Sequence, residues 1–192
     1  ISDNPGVHEG EPAIRLTGGI HGNEMVTVEL MIQFIEYLTY NYGKDAEVTD
    51  IVNSRYIVII PVMNPDGLEA KTRYNSNGVD LNRNFSVAWA PGTSRGSYAF
   101  SEAESRSLRD FSLSQVFHLS VTYHSGAVVL NMPFDYAKEN VEAPVENDLV
   151  KEYAKSYTTA GTFLDNPDLM QSVLDDGTIN GGDWYVITGS LQ

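Results

Sequence analysis

His21 and Glu24 stand three residues apart in LTGGIHGNEMVTVEL (16–30), after a glycine pair and before an apolar helical pattern. An imidazole and a carboxylate at that spacing offer two donors to a divalent cation. A glutamate at the start of a helix is also favoured by the helix dipole alone, with the histidine then merely polar. A third donor bears on the choice. His124 follows a later apolar stretch, VFHLSVTYHSG (116–126), beside a glycine exit like that of His21. Two imidazoles and one carboxylate, with a fourth position open, make the donor set of a catalytic zinc site. His118 alternates onto the same strand face as His124 and is the rival ligand, although its mid-strand place suits a core contact better. His8, in the leading loop, carries no such signal.

The segment TRYNSNGVDLNRNF (72–85) gathers Arg73, Arg83, Asp80 and four asparagines in a chain otherwise short of basic residues. Guanidinium groups grip carboxylates through paired hydrogen bonds and stabilise an oxyanion. Asp80 could accept the spare N–H of a metal-bound imidazole. The plainer alternative is a polar surface loop whose Asn and Gly supply turns.

The surrounding pattern must position these groups. AIRLTGG (13–19) reads as a strand, and 24–41 as a helix with Val28, Met31, Ile32, Ile35 and Leu38 at helical spacing and Gly43 as its stop. RYIVIIPVMNPDG (55–67) is a β-branched run suited to a strand buried on both faces, ending in a turn. Residues 64–101 show no period and read as a long loop region. SEAESRSLRDFSLSQ (101–115) reads as a helix opened by a Ser101–Glu104 capping box. Residues 116–126 form another strand, 146–160 a weaker helix, and 161–192 mostly loop. The expected class is α/β, a mixed, largely parallel central sheet flanked by helices, with sites beyond the strand carboxyl ends.

Composition narrows the function. Twelve basic against 26 acidic residues leave a formal charge of −14, which argues against nucleic acid. That charge suits the steering of cationic substrates, and equally an acidic surface that only aids solubility. Cysteine is absent, which excludes disulfides and thiolate sites, so a metal must use His, Asp and Glu. No apolar run approaches a membrane span. A length of 192 residues suggests one domain. The start, without initiator Met or leader, reads as a mature protein or an excised domain.

GGIHGNE, PVMNPDG, NGVDLNRNF, YHSGAVVLNMPFD and NGGDWYVITGSLQ, in that order, resemble the zinc metallocarboxypeptidase family. The likeness is strongest to its carboxypeptidase N/E (regulatory) branch, which includes carboxypeptidases D, M and N. The resemblance implies that family's fold, and Zn2+ held by His21, Glu24 and His124. It implies Arg73 polarising the scissile carbonyl, Asn82 and Arg83 binding the terminal carboxylate, and Ser125 and Tyr185 lining the cleft. Asp135 matches the pocket aspartate that selects Lys or Arg; as a residue alone it could equally be a turn aspartate after Pro133. Gln192 falls at a pocket position in keeping with this branch. Ser125 departs from the branch's usual glycine and agrees with the pancreatic type, and Thr188 and Ser190 vary the usual wording. No glutamate in the chain matches the family's general base. Residues 1–192 are therefore expected to be a single partial peptidase domain, truncated at both ends and lacking the segment that carries that base.

The implied activity is hydrolysis of the C-terminal peptide bond of peptides or proteins, releasing Lys or Arg, by a secreted or extracellular protein. The partners are peptide or protein C-termini, with no nucleic acid and no membrane span. The alternatives are a carboxypeptidase-like binding module without catalysis, and a zinc amidohydrolase of the aspartoacylase or desuccinylase kind.

Overall fold

The computed structural model describes residues 1–7, 9–161 and 176–191. The chain divides into two compact units, Ile1–Leu81 with Phe100–His124, and Asn82–Ala99 with Ser125–Gln192.

The first unit is a three-stranded sheet in the order β2-β1-β3, built from β1 (Ala13–Thr17), β2 (Tyr56–Ile60) and β3 (Leu119–Thr122). Both pairings are parallel, with Leu16 opposite Ile59 on one side and Val121 on the other. The strand buried on both faces is β1, where Ala13 and Thr17 are fully buried, and not β2, of which only Ile57 is buried. A strand paired on one side exposes its other edge, whatever its apolar content.

Helices α1 (Met25–Asn41) and α2 (Ala46–Ser54) fill the β1-to-β2 connection. Thr27, Val28, Met31 and Leu38 form the buried face of α1, whereas Ile32 is 41% exposed and Ile35 half-buried, against the sequence reading. Leu38 meets Val48, Val52 and Ile57 in a core cluster that Ile1, Phe34 and Ile59 cover. The sequence reading missed α2, a nine-residue helix whose inward face is only Val48 and Val52. Its start is secured by Asp45, which accepts from the Val48 N–H at 3.0 Å.

Two further departures concern the long loop and the helix after it. Residues 65–70 are a helix, α3 (Pro65–Ala70), with Asn64 as N-cap and Pro65 in its first turn. Helix α4 (Ala103–Leu113) begins one turn position later than a Ser101 cap would place it, with Glu102 as its flanking residue. The Ser101 hydroxyl donates to Glu102 Oε1 at 2.7 Å, and Glu104 accepts from Asn75 at 3.2 Å. Side-chain amides of Asn75 and Asn77 also donate to Glu102 Oε2, at 2.8 and 2.7 Å.

The second unit contains β4 (Leu130–Met132) and β5 (Thr178–Asn180), a parallel pair with Asn131 opposite Ile179. Helix α5 (Asn147–Ala160) packs on both strands, and α6 (Gly181–Trp184) follows β5 directly. Met132, Ala154, Thr158, all three residues of β5, and Gly181 and Gly182 are buried at these elements. The sequence reading found α5, placed 178–180 in loop and assigned no element to 130–132. A 3-10 turn, Leu81–Arg83, begins the chain's passage into this unit. Every strand pairing among the described residues is parallel, so the class is α/β with a parallel sheet. No helix among them is long and apolar enough to cross a membrane.

Candidate metal centre

Three donors converge at the carboxyl ends of β1 and β3. His21, reached from β1 through Gly18, Gly19 and Ile20, is 2% exposed. Glu24 occupies the N-cap position of α1. The His21 Nδ1 lies 2.8 Å from Glu24 Oε1, and the Nδ1 of His124, two residues past β3, lies 3.0 Å from Glu24 Oε2. The two imidazole rings stand 4.8 Å apart between centroids. One donor atom from each residue falls within 4.8 Å of the others. Two imidazole nitrogens and a carboxylate within that span fit a divalent zinc ion and leave room for further ligands.

Local hydrogen bonds fix this turn. The Thr27 hydroxyl donates to Glu24 O at 2.8 Å and accepts from the Gly19 N–H at 3.0 Å. Asn64, fully buried, donates its side-chain amide to Ile20 O at 3.3 Å and accepts from the Gly67 N–H at 2.9 Å. Gly22 lies so close to Gly67 that a Cβ there would sit 1.8 Å from a backbone carbon. Only glycine permits that approach.

Asp80 stands behind His21, with Oδ1 at 3.0 Å from Nε2. With a cation held at Nδ1, that contact would keep the remaining ring proton on Nε2, facing Asp80. Arg73 Nε donates to the other Asp80 oxygen at 2.8 Å, and its guanidinium reaches within 3.7 Å of Glu24 Oε1. Burial would raise the pKa of both carboxyls. Hydrogen bonds and charge from His124 and His21 instead hold Glu24 far below its usual range. Those from His21 and Arg73 hold Asp80 at about 2. Burial would lower His21, but Asp80 and Glu24 outweigh it and raise its pKa.

The structure therefore brings His21, Glu24, His124, Asp80 and Arg73 together within the first unit. His118 is excluded from the group. It precedes β3 at the opposite end of the strand from His124, is exposed, and accepts the Ala13 N–H at 3.1 Å. It is neither ligand nor core residue, because in parallel strands only the carboxyl ends carry His21 and His124. His8 and Gln192 lie outside the described residues.

The other nominated residues belong to the second unit. Asn82, 9% exposed, accepts the Leu191 N–H at 2.9 Å, and Arg83 donates to Asn82 O at 2.7 Å. Residues 82–87 are stitched to the 188–191 stretch, with Phe85 N–H to Gly189 O at 2.9 Å and Gly189 N–H to Val87 O at 2.7 Å. Arg95 adds a donor to the Thr188 carbonyl at 3.1 Å. Tyr185 is 50% exposed, edge-on to Trp184. Ser125 is exposed. Asp135 is 7% exposed and accepts from Asn131 at 2.8 Å; a Cβ on Gly181 would fall 1.9 Å from its Oδ1. Among the described residues no basic side chain pairs with Asp135. Asn64, Thr27 and Glu102, which the sequence reading gave no role in the site, are residues that order its loops.

Two imidazoles and a carboxylate at neighbouring strand ends of a parallel α/β unit define a candidate metal centre. The chain belongs to the zinc carboxypeptidase family, whose family model matches residues 1–192. It is 37% identical to mouse (Mus musculus) carboxypeptidase D over 211 residues, covering all of this chain and 15% of that protein. It is 30% identical to the human (Homo sapiens) carboxypeptidase N catalytic chain over 234 residues, again covering all of this chain and 50% of that one. The chain thus spans half or less of these relatives. The fold is similar to that of thrombin activatable fibrinolysis inhibitor, with a TM-score of 0.81 at 22% identity, covering 96% of this chain and 50% of that structure.

Proposed function

We propose that residues 1–192 form the zinc-binding part of an exopeptidase that removes the C-terminal residue of peptides or proteins, preferring Lys and Arg. The observation that carries this reading is the convergence of His21, Glu24 and His124, with Asp80 behind His21. The two histidines would hold Zn2+ through Nδ1, and Glu24 through its carboxylate. Zinc bound there supplies Lewis acidity that polarises a carbonyl and activates water. Asp80 fixes the His21 tautomer. Arg73, tied to Asp80 through Nε, offers its guanidinium to an oxyanion developing beside Glu24.

Asn82 and Arg83 are the groups for the substrate's terminal carboxylate; a guanidinium supplies paired donors for it. With the Asn82 oxygen taken by Leu191, the other end of that amide is purely a donor. Asp135 is a buried carboxylate, a costly group unless a cation joins it, and the side chain of a terminal Lys or Arg supplies one. Ser125 and Tyr185 line the cleft. The general base stands outside residues 1–192 in this reading, which makes them one partial peptidase domain. Kinship with carboxypeptidases D and N supports a secreted or extracellular setting.

The test incubates the full-length, zinc-loaded protein that carries residues 1–192 with peptides ending in Arg, Lys, Leu and Phe. Zinc-dependent release of Arg and Lys is expected, and Asp135→Asn should erase the preference. Faster release of Leu or Phe refutes the role of Asp135. No zinc-dependent release refutes the enzyme reading.

A further inference from the structure

We infer that Glu102 is a positioning residue for the candidate zinc site, the anchor that holds Asp80 and Arg73 against His21 and Glu24. The inference rests on the zinc-site reading above.

The segment 72–80 has to present Asp80 at 3.0 Å from the His21 ring, yet its only buried apolar side chain is Val79. Its order comes from polar contacts. Asn75 Oδ1 accepts from the Asn77 N–H at 3.1 Å and the Val79 N–H at 3.0 Å. The Asn75 backbone bonds to Val79 O at 3.0 Å and to the Gly78 N–H at 3.0 Å. Residues 75–79 are therefore one closed turn, and Asp80 follows immediately. A closed turn still needs a fixed base, or it swings as a body.

Glu102 is that base. Its Oε2 receives the side-chain amides of Asn75 at 2.8 Å and Asn77 at 2.7 Å, from 27 and 25 residues upstream. Oε1 receives the Ser101 hydroxyl at 2.7 Å. Glu102 and Asn75 are each 5% exposed. Burial would raise the Glu102 pKa, but the Asn77, Ser101 and Asn75 bonds and the Arg106 charge lower it, so the group is an anion at neutral pH. Its position at the start of α4 favours a carboxylate that caps the helix. No capping bond is made. Oε2 serves the loop instead, so a role in holding that loop accounts for a cost at the helix. From Glu102, hydrogen bonds run through Asn75 to Val79, the peptide bond leads on to Asp80, and a hydrogen bond joins Asp80 to the His21 ring.

A residue that only stabilises the fold would change melting temperature without touching the metal. The comparison therefore uses the full chain with Glu102→Leu, Glu102→Gln and, as a destabilised control, Leu108→Ala on the buried face of α4. Zn2+ affinity is measured by competition with a chromophoric chelator, at a temperature where circular dichroism shows every variant folded. Glu102→Leu should weaken Zn2+ by roughly tenfold, the scale of losing an outer partner of a metal-bound histidine. Glu102→Gln, which keeps an acceptor oxygen, should recover most of that loss, and Leu108→Ala should bind as the parent does. Unchanged affinity in Glu102→Leu, or an equal loss in Leu108→Ala, overturns the inference.

A second readout needs no metal. The His21 Nε2 proton, bonded to Asp80, should give a protected NMR resonance that Glu102→Leu abolishes and Leu108→Ala keeps. Its persistence in Glu102→Leu, or its loss in Leu108→Ala, also overturns the inference. A parent chain that binds no Zn2+ while the resonance behaves as expected refutes the zinc reading and leaves the positioning role standing.

Discussion

His21 has a partner on each ring nitrogen, Glu24 at 2.8 Å and Asp80 at 3.0 Å, and is almost wholly buried. A histidine so held cannot turn, and its usefulness to a metal depends on which nitrogen keeps the proton. Asp80→Asn tests this at the scale of one atom. The amide keeps the shape but loses the charge that holds the Nε2 proton, so Zn2+ affinity should fall about 10- to 100-fold. Chelator competition measures it, and an unchanged affinity would remove Asp80 from the site. The types and spacing of His21, Glu24 and His124 were legible in the sequence because donor chemistry belongs to the residue. Glu102 was not legible there, since its partners, Asn75 and Asn77, lie 27 and 25 residues upstream.

At the scale of elements, the site exists because β1 and β3 run in the same direction and end on the same side. Glu24 then belongs to the helix that leaves β1, and Asn64 to the turn that leaves β2. Asn64→Ala removes the α3 cap and frees the Ile20 carbonyl beside His21. The expected cost is about 1–3 kcal/mol of unfolding free energy, from a lost cap together with an unsatisfied buried group. Urea denaturation measures it, and a loss below a few tenths of a kcal/mol would mean that Asn64 holds nothing. Long, periodic elements were readable in advance. Helices α2 and α3 and strands β4 and β5 were not: α2 buries only Val48 and Val52, α3 only Gly67, and the two strands are three residues each, too few for a period to stand out from loop.

Over the whole molecule, the stability of the fold should depend on the charge of groups held within it. Glu102 lies below its ordinary pKa of 4.5 in the folded chain. Between its folded and unfolded values the unfolded chain binds more protons, so the contribution of Glu102 grows with pH there. It is complete above 4.5 and lost as pH falls through the lower folded value. The stability gap between the parent and Glu102→Gln should accordingly be constant from pH 7 to about 5 and shrink on further acidification. Urea midpoints taken from pH 7 to 3 measure the gap, and one that stays constant over that range would show that Glu102 is not held as an anion.

The amino-acid sequence alone determined the α/β class, the zinc carboxypeptidase kinship, the acidic charge and the three candidate donors. Each of these is written locally, in residue chemistry, short motifs and periodicity. The tertiary structure decided that β1 is the central strand, that His124 and not His118 joins Glu24, and that Glu102 fastens the loop carrying Asp80. Those outcomes depend on which strand pairs with which and on contacts between residues as far as 100 positions apart. No local pattern encodes such pairings, because they follow from how the whole chain buries its apolar faces and satisfies its polar groups at once.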